Sequence, residues 1–389
     1  MIFKDNKITF SVVAIAFFFT AYFSIFMSIA LLACFLPFLA STNVNFLAAF
    51  FLIFFMAFLQ SDFIPISDSK QYLDYFKTIY FNVGADDSRA QSKALEVAWV
   101  AYIYILSFIA SPEYFFFFNT LFLYMFAMFI SKKLASEYYI IVFLLFVFLG
   151  FSNNLNFLIR QYYASIFVLF YFVFLDKRAL IRGGICFLAL GFHLSTVIYF
   201  PLLSKKFVNV INSRAIFFLG TSLFFSFFIT LDNIILVYQN FNEVLLVDRL
   251  RYYNNVSSVS TIFSPYFLEK LLFLVLVLKV DTGLLTKREF HLRALLIYSF
   301  SLYLLFSNVA ILSERVGIFS ALFLGLFLFI PIKYYNKISI FNVSFNPIVI
   351  LYFYLPFRIL FWGISNENTH VINYFDGNIL SIGLRSIPL

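Results

Sequence analysis

Apolar runs of helix length, separated by short polar connections, make up most of this chain. After a basic start at Met1–Lys7, apolar residues run from Ile8 to about Ala40. That is longer than the roughly 7–15 residues of a cleavable signal, so the run is expected to be a retained span. Further runs fall at about Val44–Leu59, Ala94–Ala110, Tyr114–Ile130, Tyr138–Phe151, Gln161–Leu175 and Gly183–Leu203, then Ala215–Thr230, Tyr266–Leu278, Ala294–Ala310, Val316–Ile330 and Pro347–Trp362. A membrane-crossing helix needs ~20 apolar residues, so the pattern predicts an all-α, polytopic transmembrane helical bundle of about twelve spans, within a range of about ten to thirteen. Residues 1–389 read as a single integral membrane domain without an internal repeat. The runs around Phe143 and Phe273 are the shortest.

Two connections, Gln60–Lys93 and Leu231–Ser264, are long and polar. Loops beyond about 12–15 residues are uncommon unless they carry function, so these are where a polar ligand is expected to be handled.

Composition sharpens the class. Hydrophobic residues make up 63% of the chain and charged ones 12%, with a mean hydropathy of +0.95; an ordinary soluble domain has roughly 25% charged residues. A water-soluble fold could not hide that much apolar surface. The net charge of +8 fits Lys and Arg gathered in cytoplasmic loops. No basic stripe with interleaved aromatics lies on a polar segment, so nucleic-acid binding is not expected. Cys34 and Cys186 lack metal or disulfide spacing, and His193, His291 and His370 are far apart, so no metal site is expected.

Charge also bears on topology. With twelve crossings and the N-terminus inside, Lys4, Lys7, Lys132, Lys133, Lys177, Arg178 and Arg182 are cytoplasmic, as the positive-inside rule requires. After His193 the pattern reverses, since Lys205, Lys206, Arg214, Lys287, Arg288, Arg293, Lys333 and Lys337 fall outside. One change of parity removes the conflict, which predicts that Gly183–Leu203 is re-entrant or broken, with His193 near its tip. The loop Gln60–Lys93 then faces the cytoplasm.

Candidate chemistry centres on Asn153–Ser195. Arg160 and His193 sit among Phe, Leu, Ile and Val, where an ionisable group costs several kcal/mol unless it meets a partner or a wet cavity. On a continuous helix Asn153, Asn156 and Arg160 would share a polar face. Taken singly, Arg160 could equally snorkel to headgroups, and His193 could be a packing residue. In the loop Gln60–Lys93, Asp68 and Tyr72 are four apart and would meet on one face, although an interfacial helix explains them as well. Arg249 and Arg251 with Tyr252 and Tyr253 put cations and flat rings in the second loop, suited to phosphate and sugar or to headgroups. Glu314 and Arg315 open a late apolar run. Lys270, Arg293 and Arg358 are assigned to interfaces. No phosphate-binding glycine loop or nucleophile elbow occurs.

R-Q-Y-Y-A at Arg160–Ala164, followed by F-H-L-S at Phe192–Ser195, resembles the EpsG/Wzy family of bacterial polysaccharide polymerases. The family pairs an R-Q-x-x-A helix with an F-H-x-S segment in this order and at about this separation. Its G-x-D-x-x-x-Y element is matched by Asp68 and Tyr72, with Ile66 in place of the glycine, and its R-x-x-x-[YF] element by Arg315 and Phe319. The resemblance places the Asp68 loop on the outer face, against the charge count.

It also implies a glycosyltransferase, a Wzy-type polymerase joining undecaprenyl-diphosphate-linked oligosaccharide repeat units at the outer face of the bacterial cytoplasmic (inner) membrane. The product would be O-antigen, capsule or exopolysaccharide, and a chain-length regulator protein is among the implied partners. In that reaction Arg160, Arg315 and one of Arg249 and Arg251 would meet the charge of the departing diphosphate. His193 would accept the hydroxyl proton, with Asp68 as the substitute base. Tyr72, Tyr252, Asn156 and Gln161 complete the expected substrate contacts, and no cofactor is expected. The rival reading is a lipid-linked oligosaccharide flippase, in which intramembrane Arg and His bind an anion without bond making.

Overall fold

In lipid every backbone N–H and C=O must find a partner within the chain, and helices do this locally. The computed structural model is accordingly helical, apart from one short hairpin, across the residues it describes: 28–30, 42–61, 65, 67–81, 96–135, 139–147, 158–230, 232–234, 265–321, 323–334, 338–340, 343–345, 354 and 357. The chain forms two compact units. One takes in the chain up to Leu194 and again from Lys337, and the other is Ser195–Asn336.

The first unit contains α1 (Thr42–Ser61), α2 (Ser67–Tyr80), α3 (Val97–Ser107), α4 (Phe115–Ala135), α5 (Tyr139–Phe146), α6 (Ile159–Val173) and α7 (Ala179–Phe192). With the 3₁₀ turn Pro112–Tyr114 ahead of it, α4 forms a helical stretch long and apolar enough to cross a membrane. Proline suits the first position of that turn, where no backbone donor is needed. Lys132 and Lys133 close α4 at the end where a cation is favoured. Their ammonium groups lie over aromatic faces, 5.3 Å from the centre of the Phe46 ring and 5.6 Å from that of Phe129, within reach of cation–π attraction. α4 packs against α1, α5 and α6.

α6 is the centre of this unit, since all of it is buried except Arg160 and Phe167, which are half-buried. A tight turn over residues 174–178 sends α7 back along it. α7 buries only Ala189 and Phe192, and leaves Leu180 and Phe187 exposed, as a helix facing lipid would.

The second unit follows the 3₁₀ helix Leu194–Leu203 with α8 (Lys205–Ser213), α9 (Ala215–Ser226), α10 (Pro265–Leu278), α11 (Lys287–Leu305), α12 (Ala310–Val316), α13 (Ile318–Ala321), a 3₁₀ turn at Leu324–Phe327 and α14 (Phe329–Tyr334). α11 is its axis and touches α8, α9, α10, α12 and α13. It starts with a capping box, in which Thr286 Oγ1 accepts from the Glu289 N–H and Glu289 Oε2 accepts from the Thr286 N–H at 2.9 Å. Glu289 also accepts from Lys333 Nζ at 2.8 Å and from the Tyr334 hydroxyl at 2.6 Å, which ties α14 to the start of α11.

Lys270 and Arg293, expected at interfaces, are instead buried inside this unit, at 6% and 5% exposed. Lys270 Nζ stands 4.3 Å from the centre of the Tyr303 ring. Arg293 donates to Asn212 Oδ1 at 2.8 Å and reaches the carbonyls of Asn212 and Leu278 at 3.4 Å. These carbonyls close α8 and α10, so one guanidinium serves two helix ends where backbone acceptors lack partners.

Two expected spans are interrupted. The run Gly183–Leu203 breaks at His193, whose backbone is extended (φ −161°, ψ 119°), and the following 3₁₀ helix meets α8 at 81°. The run Val316–Ile330 is cut into α13, a 3₁₀ turn and α14. Near its start, a Cβ on Gly317 would stand 2.6 Å from that of Tyr303, so the glycine allows this backbone to lie directly on α11. α3, α6, α7 and α9 are apolar but shorter than a span, and Ile8–Ala40 and Pro347–Trp362 lie largely outside the described residues. The hairpin pairs β1 (Ile338–Ile340) with β2 (Val343–Phe345) antiparallel; the apolar-run pattern did not anticipate it.

Candidate functional site

Arg160 occupies the first turn of α6, where Leu158 at the N-cap supplies no side-chain acceptor. The unpaired N–H groups of a helix start already carry partial positive charge, so a guanidinium there calls for an anion. Glu96 provides one. Arg160 Nη1 donates to Glu96 Oε2 at 2.6 Å, with the side chains 23% and 17% exposed. Glu96 is the N-cap of α3, yet its carboxylate makes no capping bond to that helix. From α2, the Tyr72 ring lies 5.4 Å from the guanidinium carbon and its hydroxyl faces Arg160 Nε at 3.5 Å. Tyr72 in turn meets the fully buried Trp99 edge-on at 5.5 Å.

Beneath this cluster a directed chain of hydrogen bonds ties three helices together. The Tyr163 hydroxyl of α6 lies 2.8 Å from that of Tyr102 of α3. Tyr102 donates to Asn119 Oδ1 of α4 at 2.8 Å, and Asn119 Nδ2 donates to the Phe115 carbonyl at 2.7 Å. With the Tyr102 proton committed to Asn119, Tyr163 is the donor of the pair.

His193 follows the last residue of α7. Because α7 runs back along α6, its end returns to the Arg160 end of that helix. Phe192 stacks on Tyr163 at 5.2 Å and on Phe167 at 5.3 Å, and lies 6.0 Å from Tyr102. Gly191 abuts α3, where a Cβ would stand 2.7 Å from that of Ala98, two residues after Glu96. Arg160, Glu96, Tyr72 and the His193 corner thus gather at one end of the first unit. His193 is half-buried.

The other expected residues divide by position. Asp68 is half-buried, one turn before Tyr72 on the same face of α2. Gln161 is buried, at 4% exposed. Arg315 is half-buried in the last turn of α12, in the second unit. Phe319 is a core residue, with its ring 4.8 Å from that of Tyr199. Asn153, Asn156, Arg249, Arg251, Tyr252 and Tyr253 lie outside the described residues, and the described part of α6 begins only at Ile159. Glu96 was not anticipated, although a lone acid opening an apolar run was a usable signal. Among the described residues no three His, Cys, Asp or Glu side chains gather closely enough to hold a metal ion.

The sequence profile of the EpsG family matches residues 46–375. The chain belongs to the EpsG family. Neither the curated proteins nor the solved structures gave a significant match. The EpsG match takes in Tyr72, Glu96, Arg160, His193 and Arg315 together, so the cluster at the start of α6 is part of the family's region. EpsG proteins are membrane proteins associated with polysaccharide polymerases, which fits the apolar helices of this chain.

Proposed function

We propose that this EpsG protein is a polysaccharide polymerase of the bacterial cytoplasmic membrane. It crosses that membrane about twelve times, by the ~20-residue requirement, and joins oligosaccharide repeat units carried on undecaprenyl diphosphate at the outer face. The supporting observation is the half-buried Arg160 guanidinium, ion-paired with Glu96, at the same end of the first unit as the corner that Phe192 forms on Tyr163 ahead of His193.

In the proposed reaction a hydroxyl oxygen of the incoming unit bonds to the anomeric carbon of the growing chain, and the bond from that carbon to the lipid diphosphate breaks. The hydroxyl proton passes to His193, whose class of side chain titrates near neutrality. The diphosphate leaves with an added negative charge, which Arg160 meets by charge-assisted hydrogen bonds aimed at the leaving group. Tyr72 holds the guanidinium from below. Arg315 and the arginines at positions 249 and 251 are further candidates for the same charge, and Asp68 is the substitute base.

Reconstitution with purified lipid-linked repeat units tests the proposal. Ladder-like chain growth, lost in Arg160→Ala and His193→Ala proteins that still fold, supports the polymerase. Movement of the substrate across the bilayer without chain growth would replace it with a carrier.

A further inference from the structure

The bond between Arg160 and Glu96 uses only half of each group. Nη1 meets Oε2 at 2.6 Å, and Nε faces Tyr72 at 3.5 Å. Among the described residues, Nη2 and Oε1 make no hydrogen bond. A guanidinium binds best when two of its N–H groups meet two oxygens of one anion, and a diphosphate offers that geometry where this carboxylate does not. The pair is also partly open to solvent, at 23% and 17% exposed, so exchanging one anion for another does not leave a sealed, uncompensated charge.

Glu96 has an alternative place to go. As the N-cap of α3 it stands by unpaired backbone N–H groups, where the helix dipole favours negative charge. In the present arrangement it forgoes that cap to reach Arg160. Gly191 presses on Ala98 in the first turn of the same helix, so a change at Glu96 adjoins the backbone that carries His193.

We infer that Glu96 is an exchangeable counter-anion of the Arg160 site: a built-in carboxylate that holds the guanidinium in place until a diphosphate displaces it, and then swings back to cap α3. The inference rests on the reading of Arg160 as the diphosphate-binding group. It makes Glu96 a positioning residue that sets the affinity of the site.

The test is equilibrium binding to the purified full chain in detergent, with inorganic pyrophosphate and a short-chain polyprenyl diphosphate as separate probes and phosphatidylglycerol as the headgroup control. Removing the competing charge in Glu96→Gln should tighten diphosphate binding about two- to fivefold, the scale of one partly exposed ion pair. Arg160→Gln should abolish binding, and adding Glu96→Gln to it should restore none. Tightening for both probes marks the diphosphate itself as the ligand, and tightening for the polyprenyl form alone marks the lipid carrier.

Unchanged or weaker binding in Glu96→Gln overturns the inference, as does tightening confined to phosphatidylglycerol. If Glu96→Gln does not fold, Glu96→Asp, whose shorter arm draws the carboxylate back from Arg160, should shift affinity the same way. Failure of both variants to fold also overturns it, because the pair would then be a structural strut. No polymer forms in this assay, so tightened binding in a chain without polymerase activity would sink the enzymatic reading alone.

Discussion

Arg160 donates to Glu96 at 2.6 Å across 64 residues of chain, joining the first turn of one apolar helix to the residue that opens another. The pair explains how a cation sits at the positive end of α6. Arg160→Lys keeps the charge but loses the planar fork and the fit over the Tyr72 ring. Chain growth on lipid-linked repeat units should fall by about 10- to 100-fold in Arg160→Lys and by about 100- to 1,000-fold in Arg160→Ala, the range seen when a charge-stabilising donor is removed. Equal activity of the lysine variant and the unaltered protein would reduce Arg160 to a point charge.

The chain Tyr163–Tyr102–Asn119 is a structural prediction of its own. Asn119→Leu removes the acceptor that Tyr102 uses and leaves a buried hydroxyl short of a partner, at a cost of about 1–3 kcal/mol. Tyr102→Phe should cost less, because Tyr163 has a second acceptor in the Asn119 carbonyl at 3.4 Å. Thermal unfolding in detergent should rank the two in that order.

Gly191 is required by contact rather than by turn geometry. Adding one methyl places it 2.7 Å from the Ala98 Cβ, so Gly191→Ala must push α7 from α3 and shift the His193 corner. Chain growth should drop by at least about fivefold, the factor that corresponds to the lower end of an overpacking cost of about 1–3 kcal/mol. The double variant with Ala98→Gly should recover most of it. No recovery would mean that the two helices do not communicate through this contact.

The charged start of α11 predicts a pH response. Burial lowers the pKa of His291, and Lys287 and Lys205 add to this, against the Nδ1–H bond to the Lys287 carbonyl at 2.8 Å. The unfolded chain therefore binds this proton first, and stability is complete above about pH 6.5 and declines as pH falls below it. Burial alone would raise the pKa of Glu289, but hydrogen bonds from Lys333, Tyr334 and Thr286 outweigh it and hold the carboxyl below its usual value. Its contribution is present above about pH 4.5 and is lost as pH drops through the lower, folded-state value. Melting temperature should thus fall in two stages on acidification. His291→Gln should flatten the first stage, and Glu289→Gln the second.

The class of the protein was fixed by composition and pattern alone. So many Phe, Leu, Ile and Val, in runs of helix length, admit only a helical membrane protein, because burial of apolar surface and satisfaction of the backbone are demands that each segment meets locally. The same local reading found Arg160 and His193, whose charge or polarity is costly in those runs, and the parity conflict foresaw the break at His193. It could not find what meets them. The pairing of Arg160 with Glu96, the chain Tyr163–Tyr102–Asn119 and the burial of Lys270 and Arg293 join residues far apart in sequence. Which face of each helix turns inward depends on all the neighbouring helices at once, and no pattern within one segment carries that choice. Tertiary packing therefore decided that α7 returns its end to the start of α6, and so that one corner holds a guanidinium, its carboxylate and the backbone leading to an imidazole.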